Sequence, residues 1–273
     1  MELNLDHAAK IKVLGIPYDH NSSYLRGPSL APDRIRMMEK EGSANAFCEF
    51  GVEILNGVNY TDIGNIHFED INPHEAYLSI KKRVENEISL GVKLLSLGGD
   101  HSVSYPIIEA HTKVYPGLHV IHIDAHTDIY EHFDNNPYSH ASPFARLCEQ
   151  NMIASLTQIG IRSATKHHHD QAIKYGIKMI EMKDFNYDFL SSLSSPLYIS
   201  LDIDALDPAF APGVSHHEPG GFSTRDVLNI IQKISVPIIG ADIVEYNPIK
   251  DIHHMTAMVG YKMLKELIYK MMD

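Results

Sequence analysis

A parallel β-sheet covered by helices on both faces is the fold class this sequence predicts. Three observations point to it. Short apolar runs recur along the chain, longer amphipathic stretches lie between them, and the residues with metal-binding side chains fall just after the apolar runs. Strands buried on both faces read as continuous apolar segments, and parallel strands need helical crossovers. In such sheets ligands bind at the carboxyl ends of the strands.

Residues 12–16, 92–97, 118–123, 156–160, 197–202 and 236–243 read as buried strands, several of them rich in Ile and Val. Residues 73–90 read as a helix, with Ala76, Ile80, Val84 and Ile88 at helical spacing. Residues 225–233 follow Ser223-Thr224, a suitable N-cap region. A last helix over 254–272 sets Met258, Tyr261, Leu264, Leu267 and Ile268 on one side. There is no repeat, low-complexity tract or linker, so the 273 residues are expected to form a single domain, 1–273.

Lys and Arg number 23 against 35 Asp and Glu, a formal charge of −12. Nucleic-acid binding needs clustered cations, so that class is excluded. Cys48 and Cys148 give no disulfide framework and no zinc-ribbon spacing. Residues 1–10 lack the apolar core of a signal peptide and the Arg-rich character of a transit peptide. No apolar run approaches the roughly 18 residues that span a bilayer. The expectation is a soluble, cytoplasmic protein with no membrane partner.

Three strand ends carry the chemistry. Gly98-Gly99-Asp100-His101-Ser102 allows a sharp turn, in which glycine permits unusual backbone angles, and presents His101 at a strand tip. The Lys-Ser/Thr of a phosphate-binding loop is missing there. Asp124-Ala125-His126-Thr127-Asp128 places ligand-type side chains at i, i+2 and i+4, and alternate residues of extended backbone point the same way. Two carboxylates held together repel unless a cation joins them. Asp202-Ile203-Asp204 repeats the alternation after another apolar run, while Asp207 before Pro208 shapes a turn. His101, Asp124, His126, Asp128, Asp202 and Asp204 form a set of oxygen and imidazole donors without thiolate, which suits Mn²⁺ better than a thiolate zinc site. Six side chains exceed what one ion takes when it also binds water. Two ions sharing carboxylates fit better, and together they acidify a water that attacks a planar, electron-poor carbon. At a fourth strand end, Glu245 offers a carboxylate that matches the fork of a guanidinium.

These motifs resemble those of the ureohydrolase family, the arginases, agmatinases and related guanidino-hydrolases. Gly98–Ser102, Asp124–Asp128 and the stretch Ser200-Leu201-Asp202-Ile203-Asp204-Ala205-Leu206-Asp207-Pro208-Ala209-Phe210-Ala211-Pro212-Gly213 match three signatures in order, and the likeness runs from Val13 to the last helix. Tyr138–Phe144, Gly160–Ser163, Gly213–Gly221 and Asp242–Pro248 are similar to plant-type arginases. The resemblance implies a three-layer α/β/α sandwich around a mainly parallel eight-stranded sheet, two Mn²⁺ per chain with other divalent metals open, and a homo-oligomer, trimer or hexamer. It assigns one ion to His101, Asp124, Asp128 and Asp202 and the other to Asp124, His126, Asp202 and Asp204. Glu245 falls on the guanidinium-binding acid and His140 on an active-site histidine proposed as a proton shuttle. Asp128 is the expected proton donor to the leaving amine.

The sequence departs from animal arginases where they hold the amino-acid end of the substrate. Ser163-Ala164-Thr165 lacks their acidic residue, Tyr130 replaces an Asn, and His216 replaces a Thr. His216 is expected near the guanidino group, with loop packing as its alternative. His167-His168-His169 is read as a solvated helix face, because three adjacent helical residues do not converge. The implied reaction is hydrolysis of a small guanidino substrate to urea and an amine. L-arginine comes first, then agmatine, then guanidinobutyrate or another guanidino acid. A single-zinc deacetylase-like hydrolase and a non-catalytic metal-binding protein are the competing classes.

Overall fold

The computed structural model describes residues 10–41, 44–69, 72–89 and 91–273. The leader reading at the N-terminus, apart from Lys10, and Leu90 at the end of the helix expected over 73–90 lie outside the described residues.

Eight strands form one sheet: β1 (Ile11–Gly15), β2 (Thr61–Asn65), β3 (Lys93–Leu97), β4 (His119–Ile123), β5 (Ser155–Ile161), β6 (Lys178–Glu181), β7 (Leu197–Asp202) and β8 (Ile238–Val244). Their order is β2-β1-β3-β8-β7-β4-β5-β6, and every neighbouring pair is parallel. The sheet is thus wholly parallel, where a mainly parallel one was expected. Among the described residues seven α-helices accompany it: α1 (Ala31–Lys40), α2 (Pro73–Ile88), α3 (Ser104–Val114), α4 (Pro143–Glu149), α5 (Lys166–Tyr175), α6 (Thr224–Lys233) and α7 (Met255–Met271).

Side chains alternate between two apolar cores. In β7, Leu197, Ile199 and Leu201 pack with α1, α6 and α7, while Tyr198 packs with α2, α3, α4 and α5 on the other face. That is the three-layer sandwich. Each fully buried Ile or Leu contributes about 1.5–3 kcal/mol. Helix α2 shows how local sequence sets an element. Asn72 and Glu75 make a reciprocal capping box, Pro73 opens the first turn, and Ala76, Ile80, Val84 and Ile88 are buried.

The sequence reading missed β2, β6 and several helices. Strands β2 and β6 are the two edges of the sheet and have no fully buried residue, so they lack an apolar run. Helix α3 is buried from Ser104 to His111 and shows no amphipathic stripe. Helix α4 has only seven residues. Helix α1 did carry a signal, with buried Ala31, Ile35 and Met38 at helical spacing.

The topology also places the site. Strands β2, β1 and β3 occupy one side, β4, β5 and β6 the other, and β7 and β8 fill the centre. The crossing between the halves opens a crevice at the carboxyl ends of β3, β8, β7 and β4, the ligand-binding position of open α/β sheets.

Candidate metal centre and substrate pocket

Each of those four strand ends delivers one part of the predicted site. His101 follows β3 and opens a short 3-10 turn that Asp100 caps by accepting from the Ser102 amide at 3.1 Å. The two glycines before it are not in the left-handed region, contrary to the sequence expectation of unusual angles. They are needed for space, since a Cβ on Gly99 would lie 1.8 Å from the Tyr18 carbonyl oxygen. The strain sits elsewhere. Asp128 has φ 50 and Glu245 has φ 62, a conformation costing a side-chain-bearing residue on the order of 1–3 kcal/mol. Both are residues the sequence singled out.

The six predicted ligands come together. His101 Nδ1 lies 3.2 Å from Asp124 Oδ2, 3.0 Å from Asp128 Oδ2 and 3.1 Å from Asp202 Oδ2. His126 Nδ1 lies 3.4 Å from Asp124 Oδ1 and 3.1 Å from Asp204 Oδ2. Asp124 therefore turns one oxygen toward each histidine. Asp202 turns Oδ2 to His101 and accepts the Asp204 amide on Oδ1 at 2.7 Å.

Second-layer bonds fix which nitrogen of His101 is free. Its Nε2 is 3.0 Å from Ser200 Oγ, which donates to Asp242 Oδ1 at 2.7 Å. Ser200 has spent its proton on Asp242, so Nε2 carries the hydrogen and Nδ1 the lone pair. That lone pair faces three carboxylate oxygens without a hydrogen bond to any of them. Such an arrangement is repulsive unless a proton or a metal ion sits at the focus. Burial disfavours a charged ring, but the three carboxylates outweigh it and raise the His101 pKa well above the usual histidine range. Burial, and then the charges of Asp204 and Asp124, push Asp202 well above the usual carboxylate range. Burial also raises Asp204 to about 6, against the pull of His126. A cation relieves all of these strains together, so the residues fit a metal centre.

His122 is a site residue the sequence reading missed. It is buried with His101, Asp124 and Asp128, and these four donors are close enough to hold one ion, as are Asp124, His126 and Asp204. The Gln158 amide donates to the Thr127 carbonyl and to His122 Nδ1, so His122 Nε2–H donates to Asp124 Oδ2 at 2.6 Å. His122 thus aims a ligand rather than being one. Its signal was in the sequence, because His122 lies in β4 two residues before Asp124, which follows the end of that strand.

Glu245 is held on one oxygen only. Oε1 accepts from the His101 amide at 2.9 Å and from His140 Nδ1 at 2.8 Å, while Oε2 has no partner. Burial disfavours the imidazolium of His140, but the Glu245 carboxylate outweighs it and raises the ring to about 9. The Ser23 amide donates to His140 Nε2 at 3.2 Å, which places the proton of the neutral ring on Nδ1. A cavity of about 210 Å³ opens over these groups. Asp128, Asp202, Asp204, His126 and Glu245 line it, with His140, His216, Ser23, Tyr130, Phe133, Ser163, Thr165 and His168 around them. His216 sits between His126 and His140, with ring centroids 5.8 and 5.3 Å away.

The histidine triplet needs correction. His167 and His169 are exposed as expected, but His168 is buried and lines the cavity. Helix α5 follows β5 directly, so its first turn reaches the strand-end crevice. The Asp207 reading holds, since its carboxylate accepts from the amides of Ala209, Gly220 and Gly221 and shapes that turn. Both cysteines are free.

Residues 9–269 match the family model described as "Arginase family". The chain belongs to the arginase family. It is 43% identical over 280 residues to "Arginase 1, mitochondrial" of Arabidopsis thaliana, covering 96% of this chain and 81% of that protein. The agmatinase of Bacillus anthracis is more distant, 32% identical over 271 residues, covering 95% and 91%. Among solved structures, the arginase from Medicago truncatula superposes with a TM-score of 0.88 at 38% identity, covering 96% of this chain and 87% of that one. These relatives are ureohydrolases, and the chain is an enzyme of that class. The family is metal-dependent, in keeping with the buried His/Asp cluster. The expected cytoplasmic location is overturned, because similar plant arginases are named mitochondrial or chloroplastic/mitochondrial. No helix among the described residues is long and apolar enough to cross a membrane.

Proposed function

We propose that this chain, acting as one catalytic domain over 1–273 in a homo-oligomer, hydrolyses the guanidino group of L-arginine to urea and L-ornithine. The free, buried Oε2 of Glu245 beside the His/Asp cluster carries this reading. Arginine is preferred to agmatine because the plant arginases are the nearer relatives. His101, Asp124, Asp128 and Asp202 would hold one divalent ion and Asp124, His126, Asp202 and Asp204 a second, Mn²⁺ first, and such ions when bound would supply Lewis-acid chemistry that acidifies a water.

The chain's own groups do the rest. Glu245 Oε2 receives the guanidinium, and the bonds on Oε1 keep the carboxylate from turning away. This fixes the face of the guanidino carbon that meets the attacking water. Negative charge on Glu245 also balances the positive charge retained through the tetrahedral stage. The Asp128 carboxylate makes no hydrogen bond among the described residues and lies 3.0 Å from the His101 Nδ1 lone pair, so it is free to take the proton of the attacking water and pass it to the leaving amine. His140 links Glu245 on Nδ1 to Ser23 on Nε2, and Ser23 is exposed, which gives protons a path to solvent. His216 packs over His126 and His140 and closes the guanidino end of the pocket. The reading is tested by measuring urea from L-arginine, agmatine and guanidino acids of other lengths with Mn²⁺ supplied. Urea from arginine is expected, and no urea from any of them rejects the function.

A further inference from the structure

Arg162 follows β5 directly and takes no part in the chemistry above, yet its hydrogen bonds join two segments that carry metal ligands. Its half-buried guanidinium donates to backbone carbonyls and, among the described residues, to no carboxylate. Nε and Nη2 reach the Glu218 carbonyl at 2.9 and 2.6 Å, and Nη1 reaches those of Gly160 at 3.3 Å and Ala205 at 3.1 Å. Nη2 also donates to the carbonyls of Asp204 at 2.7 Å and Leu206 at 3.3 Å. Asp204, Ala205 and Leu206 close the short 3-10 turn Ile203–Ala205, and the last carbonyls of such a turn find no donor within it. One planar fork supplies donors to all three. Gly221 leaves room for it, since a Cβ there would lie 2.6 Å from Nη2 and 2.6 Å from the Ala205 carbonyl oxygen. The backbone of Arg162 reaches the other segment. Its amide donates at 2.9 Å to the carbonyl of Ala125, the residue between Asp124 and His126, and the Ala125 amide donates to Asp204 Oδ1 at 3.4 Å.

We propose that Arg162 is a positioning residue for one of the two ion sites, that of Asp124, His126, Asp202 and Asp204. Its side chain fixes the turn that aims Asp204, and its amide holds that turn against the segment of Asp124 and His126. The other site depends on different supports, because His101 is held by Ser200 at Nε2 and by Glu245 at its amide. Losing the fork therefore weakens one ion and spares the other. Geometry rather than charge does this work, since a lysine ammonium cannot span the same carbonyls. This inference rests on the two-ion reading above.

The test titrates Mn²⁺ into metal-free full-length protein and follows free Mn²⁺ by electron paramagnetic resonance. Wild type, Arg162→Lys, Arg162→Gln, His126→Ala and the double variant of His126→Ala with Arg162→Lys are compared. In both Arg162 variants the dissociation constant of one ion rises about 10- to 100-fold, the usual effect of losing a partner that orients a ligand, while that of the other stays within about threefold. His126→Ala removes a ligand of the same ion, so adding Arg162→Lys to it leaves the remaining ion within about threefold. Equal weakening of both ions, no weakening of either, or a further loss in the double variant overturns the inference. So does wild-type affinity in Arg162→Lys, which would assign the effect to charge. An Arg162 variant that stays unfolded in excess Mn²⁺ places the residue in folding rather than in aiming Asp204, and this too overturns it. Wild-type protein is measured first, and uptake of fewer than two ions per chain overturns the two-ion reading instead.

Discussion

Glu245 shows how much the site depends on single side chains. Its backbone is left-handed, one oxygen is tied twice and the other is free, so its charge is already in place before substrate arrives. Replacing it by Gln keeps the volume and removes the charge that meets the guanidinium. We expect kcat/KM for L-arginine to fall by about 100- to 1000-fold, as when a placed electrostatic partner is lost from an active site, with metal content unchanged. His122 acts at one remove. In His122→Phe the ring volume beside Phe144 is kept, but the Nε2–H bond to Asp124 is lost. Metal affinity should weaken about 10- to 100-fold, read by competition with a chelator, and unchanged affinity contradicts the orienting role. The six ligands were legible in the sequence because they cluster just past the ends of apolar runs, although only Asp202 lies in a strand and the left-handed Asp128 breaks the extended alternation read for residues 124–128. His168 was not, because a helical triplet gives no hint that its middle member is folded under a neighbouring loop.

At the scale of elements, the strand ends carry function and the helices carry stability, and the two separate by mutation. Ser223 caps α6 in a capping box with Asp226, far along the chain from any ligand. Ser223→Ala should cost about 1 kcal/mol of stability, seen in denaturant unfolding, and leave kcat unchanged. Gly99→Ala should do the reverse of that separation. Its Cβ would overlap the Tyr18 carbonyl, so the loop carrying His101 must move, and both metal content and folding yield should drop. Six of the eight strands were legible as apolar runs, and the parallel arrangement followed from the helices between them. The edge strands β2 and β6 were not legible, since an edge strand with one neighbour needs little apolar content.

For the whole molecule, pH sets a stability limit apart from the metal centre. His111 is fully buried against Tyr198, and a Cβ on Gly240 would lie 2.7 Å from its Nε2. Burial lowers its pKa to about 4, with only the Ile107 carbonyl pulling upward. As pH falls below about 6.5 the unfolded chain takes up this proton while the folded chain refuses it until near 4, so about 3 kcal/mol of stability is lost across that window. The variant His111→Gln should show a smaller difference between pH 7.5 and pH 5 in denaturant unfolding of the metal-free protein, and an identical pH dependence rejects the assignment. The central claim is that four adjacent strand ends converge on a site for two ions that turns guanidino carbon into urea. Titrating metal-free protein with Mn²⁺ while following bound metal and urea release from L-arginine tests it most directly. Activity that rises to a plateau at two ions per chain is the predicted result, and full activity at one ion, or metal uptake with no urea, contradicts it.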